Sequence, residues 1–285
     1  MINVIGEGEV IVGSNCSIGQ GATVIFKKKS KLTLADYVTV GDGVKIVIED
    51  GFVVIGDWTT IHANTLILSK VGVSIARHCW FGQNSILDGT GGLAIDDGVR
   101  VGMYSQIWTH VAAGEQIEGC QLYSARPTHI RKDAWLVGSC TVGSGIEIGE
   151  RVICMNGSNI TKSIPDHSVV AGIPAKVREG LTFYKKIDLD EKFKLMREWV
   201  LEFSLEHQFE MSAQENNCIC LYGNEGTQLS IYRDEYDFNA NKGRHNVVAF
   251  CIENKQYEKK YTVLEAMLIR YLSGNKARFY PTHIK

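Results

Sequence analysis

The chain has 285 residues, 45% hydrophobic and 22% charged, with 30 Lys and Arg against 32 Asp and Glu for a formal charge of −2. That composition argues against disorder, and charge so near zero argues against nucleic acid or an anionic membrane surface as a partner. No stretch approaches the roughly 18 uninterrupted apolar residues of a membrane helix, and Met1 to Val10 lacks the basic start and apolar centre of a leader, so the expected protein is cytoplasmic and not membrane-inserted.

Composition shifts along the chain. Of the 29 glycines, 25 precede Leu181, whereas 16 of the 26 aromatic residues fall in the last 105 positions. This predicts a domain over 1–179 and a second over 180–285. Charge does not separate the two.

From the N-terminus, apolar residues recur in steps of six: Val12, Ile18 and Val24, then Leu34, Val40 and Ile46, then Ile55, Ile61, Ile67 and Val73. After a two-residue slip the series resumes at Ile75, Phe81, Leu87 and Leu93, slips again to Ile95, Val101 and Ile107, and finishes with Ile130, Leu136, Val142, Ile148, Cys154 and Ile160. Small residues (Cys16, Ala22, Ser85, Ser105, Cys140, Ser158) sit four places after a member of the series. Neither a 3.6-residue helix nor an alternating strand has this period; a solenoid of short strands joined by tight corners does. Each hexad then gives one apolar side chain to the axis, and Gly or Asp just after it suits the corner.

The register breaks longest between Ile107 and Ile130. Packing positions are not free to do chemistry, so interruptions are where function is sought. Counted from Ile107, His110 takes the fourth place of its hexad, at a corner, pointing away from the axis. His78 and His62 occupy comparable outward positions, and geometry alone does not choose among them. Asn84 falls at an outward corner one to two coils earlier.

The repeat, strongest from Trp80 to Arg178, resembles that of the hexapeptide-repeat acyltransferases, and the likeness covers roughly 1–179. It implies a mainly β fold, a left-handed parallel β-helix followed by a small α+β domain. Handedness comes from the resemblance alone, since general crossover preferences are right-handed. The run Val101-Gly102-Met103-Tyr104-Ser105-Gln106-Ile107-Trp108-Thr109-His110 is similar to the coil ending in Thr-His that carries the catalytic base in family members acting on surface polysaccharides. That implies His110 as general base; Asn84, from its outward corner, is the candidate to contact the acceptor or orient the base. A sugar hydroxyl attacks a thioester poorly until a base such as neutral imidazole removes its proton.

The segments Trp135 to Ser139, Thr161 to Pro165 and Val169 to Arg178 resemble the family's closing signature, which binds coenzyme A. Matched position by position, Gly138 and Asn156 line the pantetheine groove, and Thr161, Lys162 and Lys176 stand towards the polar end, where Arg178 adds charge; Trp135 either covers the arm or caps the hydrophobic side of the coil. Asn156 departs from the usual alanine. Phosphates at one end of a narrow amide-bearing ligand want Lys or Arg, which these positions supply.

The resemblance therefore implies acetyl-CoA as co-substrate, no metal, a sugar or nucleotide-sugar acceptor, and a homotrimer with sites between neighbouring solenoids. The rival chemistry is N-acylation of an amino group on a nucleotide-linked sugar. A reading of another class is a nonenzymatic β-solenoid scaffold or carbohydrate-binding module. Zinc-dependent hydration of carbon dioxide needs three converging histidines, for which His62, His78 and His110 could be proposed, but the paired spacing of that branch is missing and the coenzyme signature is present. No phosphate-binding Gly-x-x-x-x-Gly-Lys-Ser/Thr loop and no dinucleotide fingerprint occurs.

Beyond Gly180, Phe193, Met196, Trp199, Val200 and Phe203 form an apolar helical stripe after Asp188-Leu189-Asp190. Cys218 to Tyr222, Leu229 to Tyr232 and Val247 to Ile252 read as strands, and Thr262 to Leu272 as a closing helix. The eight cysteines contain no CxxC pair, and Cys218 with Cys220 are too few for zinc, so reduced thiols are expected.

Overall fold

A computed structural model describes residues 1–214, 217–223 and 226–282. The chain divides into two compact units, Met1–Phe183 and Tyr184–Lys285.

The first unit is a triangular parallel β-helix. Its strands fall into three stacked sheets of eight, seven and nine strands, the three faces of the prism, and each strand pairs with the one a coil later. Ile61 lies over Phe81, Phe81 over Val101, and Val101 over Leu136. The final strand of the third face, Lys176–Val177, turns back antiparallel on Val169–Ala171.

The six-residue series is the axial core. From Val24 to Ile160 its members are buried, and Ala22, Ser85, Ser105, Cys140 and Ser158 are buried beside them. Val12 is 45% exposed because its coil has a neighbour on one side only. The slips also have a physical origin. Early coils are longer than three hexads, with 20 residues from Arg77 to Asp97 one coil on. The additional residues enter between the first and second faces, so the second face buries two side chains per coil, Val73 with Ile75 and then Leu93 with Ile95.

Corners stack as tightly as faces. Backbone bonds run Asn84 N–H to Ala63 O, Tyr104 N–H to Gln83 O, and Ser139 N–H to Met103 O, a continuous ladder up the edge between the third and first faces. Asn64, Asn84 and Tyr104 take left-handed φ there, at 59°, 57° and 61°. Gly102 is required by contact rather than by dihedral: a Cβ there would lie 1.9 Å from Val137 O on the next coil.

Ile61, buried far from the hairpin described below, reports on the core alone. Ile61→Val is expected to cost about 0.5–1.5 kcal/mol, read as a lowered urea midpoint with an unchanged circular dichroism spectrum.

The second unit is α+β, with a six-stranded sheet and, among the described residues, three helices: α1 Leu189–His207, α2 Glu235–Asn241 and α3 Val263–Ser273. Asp188 caps α1 by accepting from Glu191 N–H, and Phe193, Met196, Val200 and Phe203 form its buried stripe. Thr262 and Glu265 form a capping box on α3. Cys218–Tyr222, Gln228–Tyr232 and Val247–Cys251 are the expected strands, while α2 and the strands Glu210–Gln214, Gln256–Tyr257 and Tyr280–Pro281 carried no sequence signal. No described helix is long and apolar enough to cross a membrane.

Candidate active site

The break after Ile107 is a β-hairpin. His110–Ala112 pairs antiparallel with Tyr123–Ala125, and a 3-10 turn, Gln116–Glu118, lies between them. It leaves the solenoid at the edge between the first and second faces. Thr109 O anchors the stem, accepting from Arg126 N–H and from Ser144 Oγ on the next coil, each at 2.9 Å. One coil below, Gly91 makes room: a Cβ there would sit 2.4 Å from Thr109 O.

His110 opens this hairpin with its imidazole 37% exposed. Its Nδ1 lies 2.8 Å from Asp88 Oδ2. Asp88 stands in the strand Ile86–Gly89, directly after the axial Leu87, and its side chain is fully buried. The same Oδ2 accepts from Thr109 N–H and Oγ1, both at 2.8 Å, while Oδ1 accepts from Thr90 Oγ1 at 2.5 Å and Thr90 N–H at 3.1 Å. Burial pushes this carboxyl up, but the hydrogen bonds from Thr90, His110 and Thr109 outweigh it and hold it below the ordinary aspartate value.

An ionised carboxylate only accepts, so the network assigns the imidazole proton to Nδ1 and leaves the Nε2 lone pair free. Trp108 packs edge-on against the ring at 5.9 Å, its own Nε1–H held by Gln106 Oε1 at 3.1 Å. The arrangement is a partly exposed base, fixed in tautomer and direction by a buried anion.

The three candidate histidines part company here, each on a different edge. His78 does not face outward into solvent: it is 5% exposed, stacked on Trp58, which stacks on Tyr37. His62 is half-buried edge-on to Trp80, and burial pushes its imidazole below the usual histidine value. His129 makes a second His–Asp pair, Nε2 to Asp96 Oδ1 at 2.9 Å, with both side chains well exposed. It lines a 630 Å³ groove on the second face, together with Phe52, Val71 and Glu147, whose walls do not include His110.

The other candidates fall in two groups. Asn84, Gly138 and Asn156 share the edge between the third and first faces, where Gly157 N–H bonds Gly138 O, and a Cβ on Gly138 would come within 3.0 Å of Asn156 Oδ1. Trp135, 43% exposed on the third face, pairs with Arg100 and Ile153. Lys176 lies on the returning strand opposite Ala171, whose carbonyl accepts from Arg178 Nη2 at 3.4 Å. Thr161 and Lys162 are exposed on the hairpin's edge. Among the described residues no hydrogen bond joins Asn84 to His110; the group that orients the imidazole is Asp88, which sequence reasoning missed. Its signal was a carboxylate directly after the apolar pair Ile86-Leu87.

No family model matches the chain. A search of curated proteins finds nodulation protein L of Rhizobium meliloti, 29% identical over 109 residues (37% of this chain, 58% of that protein). It also finds galactoside O-acetyltransferase of Lactococcus lactis, 26% identical over 143 residues (47% and 60%). The chain spans between 30% and 60% of the length of the curated relatives it matches. Among solved structures, the polySia-specific acetyltransferase NeuO superposes with a TM-score of 0.50 at 18% identity, covering 66% of this chain and 89% of that one. The six-residue core, the three-faced coil and the likeness to NeuO show a left-handed parallel β-helix as the first unit, a fold and repeat similar to those of the hexapeptide-repeat acyltransferases.

Proposed function

We propose that the protein is an acyl-CoA-dependent O-acyltransferase, using acetyl-CoA, that modifies a sugar of a surface polysaccharide or its precursor. The observation that carries this is the partly exposed His110 imidazole, held through Nδ1 by the buried Asp88, which leaves Nε2 as the nitrogen to act as base. The galactoside O-acetyltransferase among its relatives supports a sugar hydroxyl as acceptor.

In this reading both substrates bind before reaction. Nε2 takes the hydroxyl proton as the sugar oxygen attacks the thioester carbonyl, the tetrahedral intermediate collapses, and the C–S bond breaks to release coenzyme A. The imidazolium formed on the way faces Asp88, whose negative charge stabilises it, and its proton then passes to the departing sulfur. Thr161, Lys162, Lys176 and Arg178 are proposed for the polar end of the coenzyme, and Gly138, Asn156 and Trp135 for its arm.

These residues sit on different edges of one prism, as do Asn84 and His110. A cyclic homotrimer that sets the Asn84 edge of one copy beside the hairpin edge of the next gathers them into one cleft. Every site is then shared between subunits.

The test is calorimetry with coenzyme A, followed by incubation with acetyl-CoA and a panel of oligosaccharides and nucleotide sugars, products being weighed. Saturable binding and an added acetyl group on a sugar oxygen are expected; absence of coenzyme binding leaves a scaffold. An exposed lysine against a phosphate contributes modestly, so Lys162→Ala should weaken coenzyme binding by about 3–10-fold in the same titration, with the fold unaltered.

A further inference from the structure

We propose that Cys218 and Cys220 in the second unit form a reversible oxidation site, which a hydroperoxide converts to a disulfide.

The strand Cys218–Tyr222 lies inside the sheet, between Glu210–Gln214 and Gln228–Tyr232. Side chains two residues apart on a strand share a face, and here the two Sγ atoms lie 3.7 Å apart. Cys220 Sγ also accepts from Gln228 Nε2 at 3.5 Å and stands 3.7 Å from Ser230 Oγ. These contacts favour a thiolate on Cys220 with Cys218 as the donor. The shared hydrogen bond pulls the Cys220 thiol below its ordinary value and pushes Cys218 above. Burial instead raises Cys251, a member of the same cluster, and Cys154 in the solenoid core. Cys218 and Cys220 are buried, at 8% and 5% residue exposure, so the oxidant must be small.

The chemistry balances with the peroxide as the only other reactant. The Cys220 thiolate attacks a peroxide oxygen, the O–O bond breaks, and hydroxide or alkoxide leaves, giving a sulfenic acid. Cys218 sulfur then displaces hydroxide from that sulfur, its proton completing a water molecule. Two electrons pass from the thiols to the peroxide. Two residues along a strand span about 6.6 Å, near the upper limit for bridged Cα atoms, so the disulfide is strained and readily reduced by a dithiol.

The experiment treats the whole chain with hydrogen peroxide, blocks remaining thiols and maps each cysteine by mass spectrometry. The expected result is loss of two hydrogens from the peptide holding both residues, at least about ten-fold faster than any change at Cys154 or Cys251, and reversal by dithiothreitol. Cys218→Ser should stop at a sulfenic acid that dimedone captures. A second measurement needs no variant: iodoacetamide should alkylate Cys220 of the native protein before Cys251. Equal alkylation rates, or stepwise oxygen addition without hydrogen loss, overturns the proposal.

Discussion

His110→Ala is expected to lower turnover by about 10²–10⁴-fold, a loss of roughly 3–5 kcal/mol of transition-state stabilisation. The prediction follows from what the ring does and what it does not do. Nothing in the axial core depends on it, since the imidazole stands at the base of a hairpin outside the apolar series. Its removal leaves Asp88 with four donors from Thr90 and Thr109, so no buried charge is stranded. Circular dichroism and the calorimetric affinity for coenzyme A should therefore match wild type, while the rate of acetyl transfer collapses. A rate within a few-fold of wild type takes His110 out of the mechanism.

The axial core was legible because a solenoid imposes one constraint many times. Every coil needs an apolar residue at the same place on each face, so Phe81, Val101 and Leu136 announce themselves by spacing although they come from distant parts of the chain. The six-residue step did not reveal that the early coils exceed three hexads. The additional residues appeared only as slips, whose cause is a second buried side chain on one face. In the second unit the nineteen-residue α1 was legible from its stripe and from Asp188. The seven-residue α2 spans too few turns for a period to show.

The candidate site was legible only in part. The break in register offered His110 without separating it from His62 and His78, the resemblance to the Thr-His coil singled it out, and Asn84 was offered to contact the acceptor or orient the base. Within one chain Asn84 makes no hydrogen bond to the imidazole, and the corners explain why. Asn84 takes left-handed φ on an edge stacked with Ala63 and Met103, whereas the hairpin leaves from another edge, beside Thr90 and Ser144. Which edge a residue occupies depends on whole coils counted from the hairpin, and the slips conceal that count. Asp88 stood in plain view, yet a carboxylate after an apolar pair carries no meaning until its five donors are known.

Asp88→Asn should reduce kcat by about 10–10²-fold, with KM for the acyl-CoA nearly unchanged. The size comes from the charge-assisted bond to the imidazolium, worth about 1.5–3 kcal/mol, which the neutral amide gives up while keeping the shape of the carboxylate. A positioning residue acts only through its partner, so the same change made in the His110→Ala background should cost nothing further. Equal losses in both backgrounds would make Asp88 a structural residue. Stability supplies an independent readout with a definite sign. Burial raises the Asp88 carboxyl, the hydrogen bonds lower it more, and the folded value lies below the unfolded one. Its contribution is thus fully present above the unfolded aspartate value of about 3.9 and is lost as pH falls through the lower folded value. The stability gap between wild type and Asp88→Asn, measured by urea titration, should be widest near neutrality and narrow on acidification below about pH 4.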